Sequence, residues 1–210
     1  MTTASYSIAV VGTSWGGLAA LRELVAALPL DLMIPVVLIQ HRHRMSDHLL
    51  ATFLQDRTSL RVSEVEDKTP IEPGSIYVAP PDYHLLVESG HFTLSVEEPI
   101  RYSRPSIDLT FSTAADVFGD RTIGAVLTGA NADGAEGLRR IAERGGLTLV
   151  QEPSTAESPT MPNAALKAVP SSRVLTVGAI GELIGKMGQR HPQGAPVVRR
   201  KPIDPPEATP

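Results

Sequence analysis

Ile8-Ala9-Val10-Val11-Gly12-Thr13-Ser14-Trp15-Gly16-Gly17 is the stretch on which the reading of this chain turns. An apolar, β-branched run has the character of a buried strand, and it ends in a serine flanked by glycines. A helical pattern follows at once, with Leu18, Leu21, Leu24, Val25 and Leu28 on one face. Strand, tight turn and helix together lift a serine hydroxyl to the carboxyl edge of a sheet, beside free backbone N–H groups. Such groups bind a phosphate or stabilise an oxyanion, and the motif alone leaves both readings open.

Outward from this stretch, strand and helix patterns alternate. The apolar runs predict strands over 7–11, 35–40, 75–79, 123–127, 147–151 and 174–177. Periodicity near 3.6 predicts helices over 17–27, 46–55, 106–118, 135–144, 161–168 and 180–187. The runs 83–87 and 91–96, split by Glu88-Ser89-Gly90, read as a β-hairpin inserted into this alternation. The expected fold is therefore α/β: a doubly wound, mostly parallel sheet with helices on both faces and an inserted hairpin. One domain is expected over 1–188. From 189 to 210 the periodicity stops, and Pro192, Pro196, Pro202, Pro205, Pro206 and Pro210 mark a polar, Pro-rich tail expected to be disordered.

Composition narrows the classes of function. The 210 residues are 42% hydrophobic and 20% charged, which is ordinary for a chain that folds around one core. A net charge of -4 and the lack of an aromatic–basic stripe argue against nucleic acid as a partner. There is no cysteine, which excludes disulfides and thiolate chemistry and suits a cytoplasmic location. The first apolar run has no basic segment before it and breaks at Gly12, so neither a signal peptide nor membrane insertion is expected.

Open parallel sheets gather function at the carboxyl ends of their strands. Three such ends carry chemically useful side chains: Ser14 after the first strand, His41 after the second, and Asp133 in Thr128-Gly129-Ala130-Asn131-Ala132-Asp133-Gly134. These are a nucleophile, a base and an orienting carboxylate. Each also has a simpler reading. Ser14 is a good helix N-cap, His41 competes with His43 and His48 nearby, and Asp133-Gly134-Ala135-Glu136 matches a capping box. A dinucleotide site is disfavoured: the glycines lack the Rossmann spacing, the second strand ends in Gln40-His41 rather than an acidic residue, and no Walker lysine follows. His41 and His43 have no convincing third ligand, so neither a metal nor any other cofactor is expected.

The ordered set of Ser14-Trp15-Gly16-Gly17, Gln40-His41, Tyr77-Val78-Ala79-Pro80-Pro81, Arg104-Pro105-Ser106-Ile107-Asp108, Leu127-Thr128-Gly129 with Asp133-Gly134, and Gln151-Glu152-Pro153 followed by Met161-Pro162 resembles the catalytic domain of the CheB-type chemotaxis protein-glutamate methylesterases. The likeness runs from about 7 to 187. It implies a serine hydrolase that removes methyl esters from glutamyl residues of chemoreceptors, with deamidation of receptor glutamines as a second activity. It implies Ser14 as nucleophile, His41 as general base, Asp133 as the carboxylate orienting it, and the backbone N–H of Ala130 in the oxyanion hole. The implied partner is the signalling domain of a methyl-accepting chemoreceptor.

Two departures shape what is expected. Regulated family members carry a receiver domain, for which there is no room before Ser7, so the chain is expected to act alone or under a separate regulatory protein. Trp15 stands where the family usually has threonine, which marks it, with Arg104, as a substrate-binding residue and implies a reshaped site. Ala130-Asn131-Ala132 also replaces the family's usual Met-Gly turn. Arg42, Arg44, Arg101 and Arg104 are expected to form a basic rim. The competing expectations are a catalytically weak or inactive receptor-binding module of the same fold and a carboxylesterase for small molecules.

Overall fold

The computed structural model describes residues 6–43 and 49–188. In chain order these form β1 (Ile8–Thr13), α1 (Gly17–Ala26), β2 (Val36–Gln40), α2 (Leu50–Gln55), β3 (Arg61–Glu64), β4 (Ser75–Val78), β5 (His84–Val87) and β6 (Phe92–Ser95). Then follow α3 (Ile107–Phe118), β7 (Thr122–Val126), α4 (Ala135–Glu143), β8 (Leu147–Gln151), α5 (Thr160–Ala168), β9 (Arg173–Leu175) and α6 (Val177–Gly188).

Every residue of β1, β2 and β7 is buried, because these central strands are covered on both faces. The period-2 alternation of strand side chains divides the core in two. Ala9 and Val11 of β1 pack with Leu21 and Leu24 of α1, Leu54 of α2 and Ile180 of α6. Ile8 and Val10 face the opposite layer, with Ile107 and Phe111 of α3, Leu138 and Ile141 of α4 and Met161 of α5.

The seven strands lie in the order β3-β4-β2-β1-β7-β8-β9, all paired in parallel. The chain runs from β1 to β2, on to the edge strand β3 and back to β4, then returns to β7 and winds the other way. The reversal lies between β1 and β7, the crevice where sheets of this type bind ligands. The strands that carry Ser14, His41 and Asp133 at their ends are thus the neighbours β1, β2 and β7. The hairpin β5–β6 is antiparallel and separate from the main sheet. It is tied to α3 by Thr110 Oγ1, which donates to Leu85 O (2.7 Å), and by Val87 N–H, which donates to Thr113 Oγ1 (3.1 Å).

The expected α/β architecture is present, with differences at its edges. Strand β3 was not expected. It is a short, partly exposed edge strand with Val62 as its one core-facing residue, so its apolar pattern is too sparse to read. Near the carboxyl end, β9 stops at Leu175 and α6 begins at Val177, three residues before the expected start at Ile180. Thr176 caps it: its Oγ1 accepts from Ala179 N–H (3.4 Å) and its carbonyl from Ile180 N–H (2.9 Å). The first residues of the helix expected over 46–55, and the tail from 189, lie outside the described residues. Among the described residues, no helix is long and apolar enough to cross a membrane.

Candidate active site

Ser14 leaves the end of β1 held by its backbone. Its N–H donates to Thr128 O (2.9 Å), and its carbonyl accepts from Gly17 N–H (2.9 Å). The neighbouring Thr13 hydroxyl donates to the same Thr128 carbonyl (2.8 Å), which locks β1 to the end of β7. The serine is not the cap of α1. That position belongs to Gly16, whose φ of 77° lies in the left-handed region favoured by glycine, and no side chain caps the helix. Ser14 Oγ has no hydrogen-bond partner among the described residues. Its side chain lines a cavity of about 530 Å³ together with Trp15, Gly16, Gln40, His41, Ala130 and Glu157.

His41 follows β2, and its N–H donates to Thr13 O (3.1 Å). The preceding Gln40 ties serine and histidine together, since its Nε2 donates to both Ser14 O (2.8 Å) and His41 O (2.9 Å). The ring is fixed on both sides. Asn131 Nδ2 stands 3.3 Å from Nδ1, and Nε2 is 2.8 Å from Asp133 Oδ2. An amide N–H directed at Nδ1 makes that nitrogen the acceptor, so the proton sits on Nε2 and points at the carboxylate.

Asp133 is almost wholly buried, yet it is not the cap of its own helix. Gly134, with φ 93°, occupies the N-cap of α4. The carboxylate instead serves α3: Oδ2 accepts from Ile107 N–H (2.8 Å), and Oδ1 from Asp108 N–H (3.0 Å) and Ser106 Oγ (3.2 Å). Burial works against charge on this group. The hydrogen bond from His41 and the N–H groups of Asp108 and Ile107 outweigh it and hold the carboxyl below the usual carboxylate range. The expected capping box thus gives way to a cap across helices, with Gly134 N–H at the start of α4 also donating to Oδ1 (3.1 Å).

Ala130 lies exposed on the same cavity, and its N–H has no acceptor among the described residues. The same is true of Trp15 N–H and Gly16 N–H, whereas Gly129 N–H is committed to Ser158 O (3.1 Å). Free donors beside an unbonded hydroxyl suit a developing oxyanion. Trp15 is 65% exposed at the mouth of the cavity.

Arg104 lies in an adjoining cavity of about 340 Å³ that shares His41 with the first. Its guanidinium donates to Asp82 Oδ1 (2.6 Å through Nη2) and to the carbonyls of Val96 and Glu97. Arg42 is paired with Glu64 at 2.9 Å and nearly buried, and Arg101 lies 3.8 Å from Asp108, while Arg44 is outside the described residues. The expected basic rim is therefore largely paired with acidic partners. Among the described residues, no group of acidic residues and histidines could hold a metal ion.

Three participants in this geometry were not assigned from the sequence. Gln40 had a legible signal, a polar side chain closing an otherwise apolar buried strand. Asn131 and Ser106 had none, since their partners are 90 and 27 residues away.

A doubly wound α/β domain with serine, histidine and a buried carboxylate at three adjacent strand ends defines a class of candidate serine hydrolases. The CheB methylesterase family model matches residues 9–184, and the chain belongs to that family. It is 42% identical over 188 residues to a putative protein-glutamate methylesterase/protein-glutamine glutaminase of Leptospira interrogans, covering 89% of this chain and 97% of that one. It is 40% identical over 183 residues to protein-glutamate methylesterase/protein-glutamine glutaminase 1 of Carboxydothermus hydrogenoformans, covering 84% of this chain and 54% of that longer protein. The crystal structure of the Thermotoga maritima CheB methylesterase catalytic domain superposes with a TM-score of 0.83 at 30% identity, covering 88% of this chain and all of that one.

Proposed function

We propose that this protein is a serine esterase that removes methyl esters from glutamyl side chains of methyl-accepting chemoreceptors, and that the same site deamidates receptor glutamines. The observation that carries this reading is the His41 ring. It lines one cavity with Ser14 and is bonded through Nε2 to the buried Asp133 carboxylate at 2.8 Å.

With Nε2 held by Asp133, Nδ1 is the nitrogen that takes the Ser14 proton as Oγ attacks the ester carbonyl. Asn131, which directs its amide at Nδ1, yields that position to the serine hydroxyl in the reacting complex. Asp133 stays ionised and stabilises the imidazolium. The tetrahedral oxyanion is met by the backbone N–H of Ala130 with those of the turn after Ser14. His41 returns its proton to the leaving methanol, or to ammonia when the substrate is a glutamine. Water, activated by the same imidazole, then releases the glutamate. Trp15 and Arg104 line the two cavities on either side of His41, where the receptor segment carrying the ester would lie.

The test is methanol release from methylated receptor cytoplasmic fragments, with Ser14→Ala as control. Methanol from the wild type and none from Ser14→Ala is the expected result. Release that persists in Ser14→Ala, or none from the wild type under conditions where the receptor binds, overturns the reading. A small neutral ester run alongside separates a receptor esterase from a general carboxylesterase.

A further inference from the structure

Two aspartates begin the two helices behind the site, and each serves the helix that the other begins. Asp133 precedes α4 but accepts from the N–H groups of Ile107 and Asp108 at the start of α3. Asp108, in the first turn of α3, accepts through Oδ1 from Gly134 N–H (2.9 Å) and Gly137 N–H (2.7 Å) at the start of α4. The close approach this needs is provided by Gly137, where a Cβ would lie 2.6 Å from the Phe111 side chain and 2.8 Å from Asp108 O.

We infer that Asp108 is a positioning residue for the esterase reaction: by anchoring the Gly134 peptide it fixes the carboxylate of Asp133 on Nε2 of His41, and its charge helps to hold the imidazolium. This rests on the hydrolytic reading above. Asp108 touches neither serine nor cavity, and acts through Asp133. Its environment contains Arg101, 3.8 Å from Oδ2, Asp133 on the adjoining loop with His41 beyond it, Glu136 in the first turn of α4, and His84 of β5, whose Nδ1 accepts from Ser106 N–H. Burial raises the Asp108 carboxyl to about 6, partly opposed by the Gly137 N–H and reinforced by the charge of Asp133.

Asp108→Asn keeps the Oδ1 acceptor and removes the charge, while Asp108→Ala removes both. Asp108→Ala is expected to lose at least tenfold in kcat on methylated receptor fragments, with KM within twofold and a cooperative unfolding transition retained. Asp108→Asn is expected to keep kcat within threefold. The acid limb of its kcat/KM profile should move to lower pH, because the imidazolium loses a negative neighbour. The His41 imidazole signals, followed by NMR without substrate and assigned with His41→Gln, should titrate at lower pH than in the wild type. Wild-type kcat in Asp108→Ala, or an unmoved His41 titration in Asp108→Asn, overturns the inference. The NMR arm decides it even where the wild type releases no methanol, which instead removes the esterase reading.

Discussion

One side chain, Gln40, joins the strand end of Ser14 to that of His41, and it fits only because residue 17 is glycine. Gln40 Nε2 donates to Ser14 O at 2.8 Å, while its buried Oε1 has no partner among the described residues and lies 2.0 Å from where a Cβ on Gly17 would stand. This amide thus reinforces the β1–β2 backbone pairing in holding nucleophile and base in register.

Gln40→Met should keep the strand buried but remove the side-chain donor to the carbonyls of Ser14, which keeps Gly17 N–H, and of His41. Loss of buried hydrogen bonds predicts a destabilisation of about 1–3 kcal/mol. The larger effect should be on rate, since misplacement by about 1 Å costs roughly 100-fold. Denaturant melts and kcat together test this, and a variant with wild-type kcat would remove Gln40 from the positioning machinery.

Gly17→Ala should also impair folding. The added Cβ would meet Gln40 Oε1 at 2.0 Å and Thr13 Oγ1 at 2.6 Å, at the fully buried end of β1. Overpacking of this kind costs about 1–3 kcal/mol. A lower denaturation midpoint with an unchanged m-value is the expected signature.

Ser14→Ala and His41→Ala should each reduce kcat at least about 10³-fold, with the double variant little worse, because residues acting as a unit are not additive. Asp133→Asn should lose roughly 10²–10⁴-fold. Its new amide would also face donors at Ile107, Asp108, Ser106 or His41, so its stability should fall as well. Multiplying single-variant losses, measured as methanol release, would argue for independent roles.

The pH dependence of stability has two opposite parts. The Asp108 carboxyl is raised from 3.8 to about 6, so between these values the folded state binds more protons than the unfolded chain. Stability therefore falls as pH rises through that window and stays lower above it. Asp108→Asn lacks this loss, and its gain in Tm over the wild type should be larger at pH 8 than at pH 4. Asp133 is lowered instead, so its contribution is present above its unfolded value and is lost as pH falls through its folded one. Paired thermal melts of the wild type and Asp108→Asn at the two pH values check the first sign, and melts of the wild type and Asp133→Asn carried below pH 3.8 check the second.

Trp15 offers a separable test of the cavity mouth. At 65% exposure it contributes little to the core, so Trp15→Thr should change stability by no more than about 0.5 kcal/mol. Removing the indole should widen the approach to Ser14 and raise kcat/KM on receptor fragments. A slower variant of unchanged stability would instead make the indole a substrate contact.

The sequence by itself determined the central architecture, because an apolar run such as Ile8–Thr13 or Val36–Gln40 is satisfied only by a strand buried on both faces. Its alternation with amphipathic helices placed Ser14, His41 and Asp133 at carboxyl ends. Local pattern was weakest where few residues face the core, as at Val62 of β3, and where a cap displaces a boundary, as Thr176 does for α6. Only the tertiary structure decided what Asp133 and the arginines do. A capping-box spacing is a local signal, but the Asp133 carboxylate bonds to N–H groups 25 and 26 residues away, and Asp108 returns the favour to Gly134 and Gly137. Arg42 and Arg104 read as exposed charge until β3 brings Glu64 to the first and the β4–β5 turn brings Asp82 to the second. Hydrogen bonds and ion pairs act over a few ångströms in space, and chain folding, not sequence separation, sets which groups come that close.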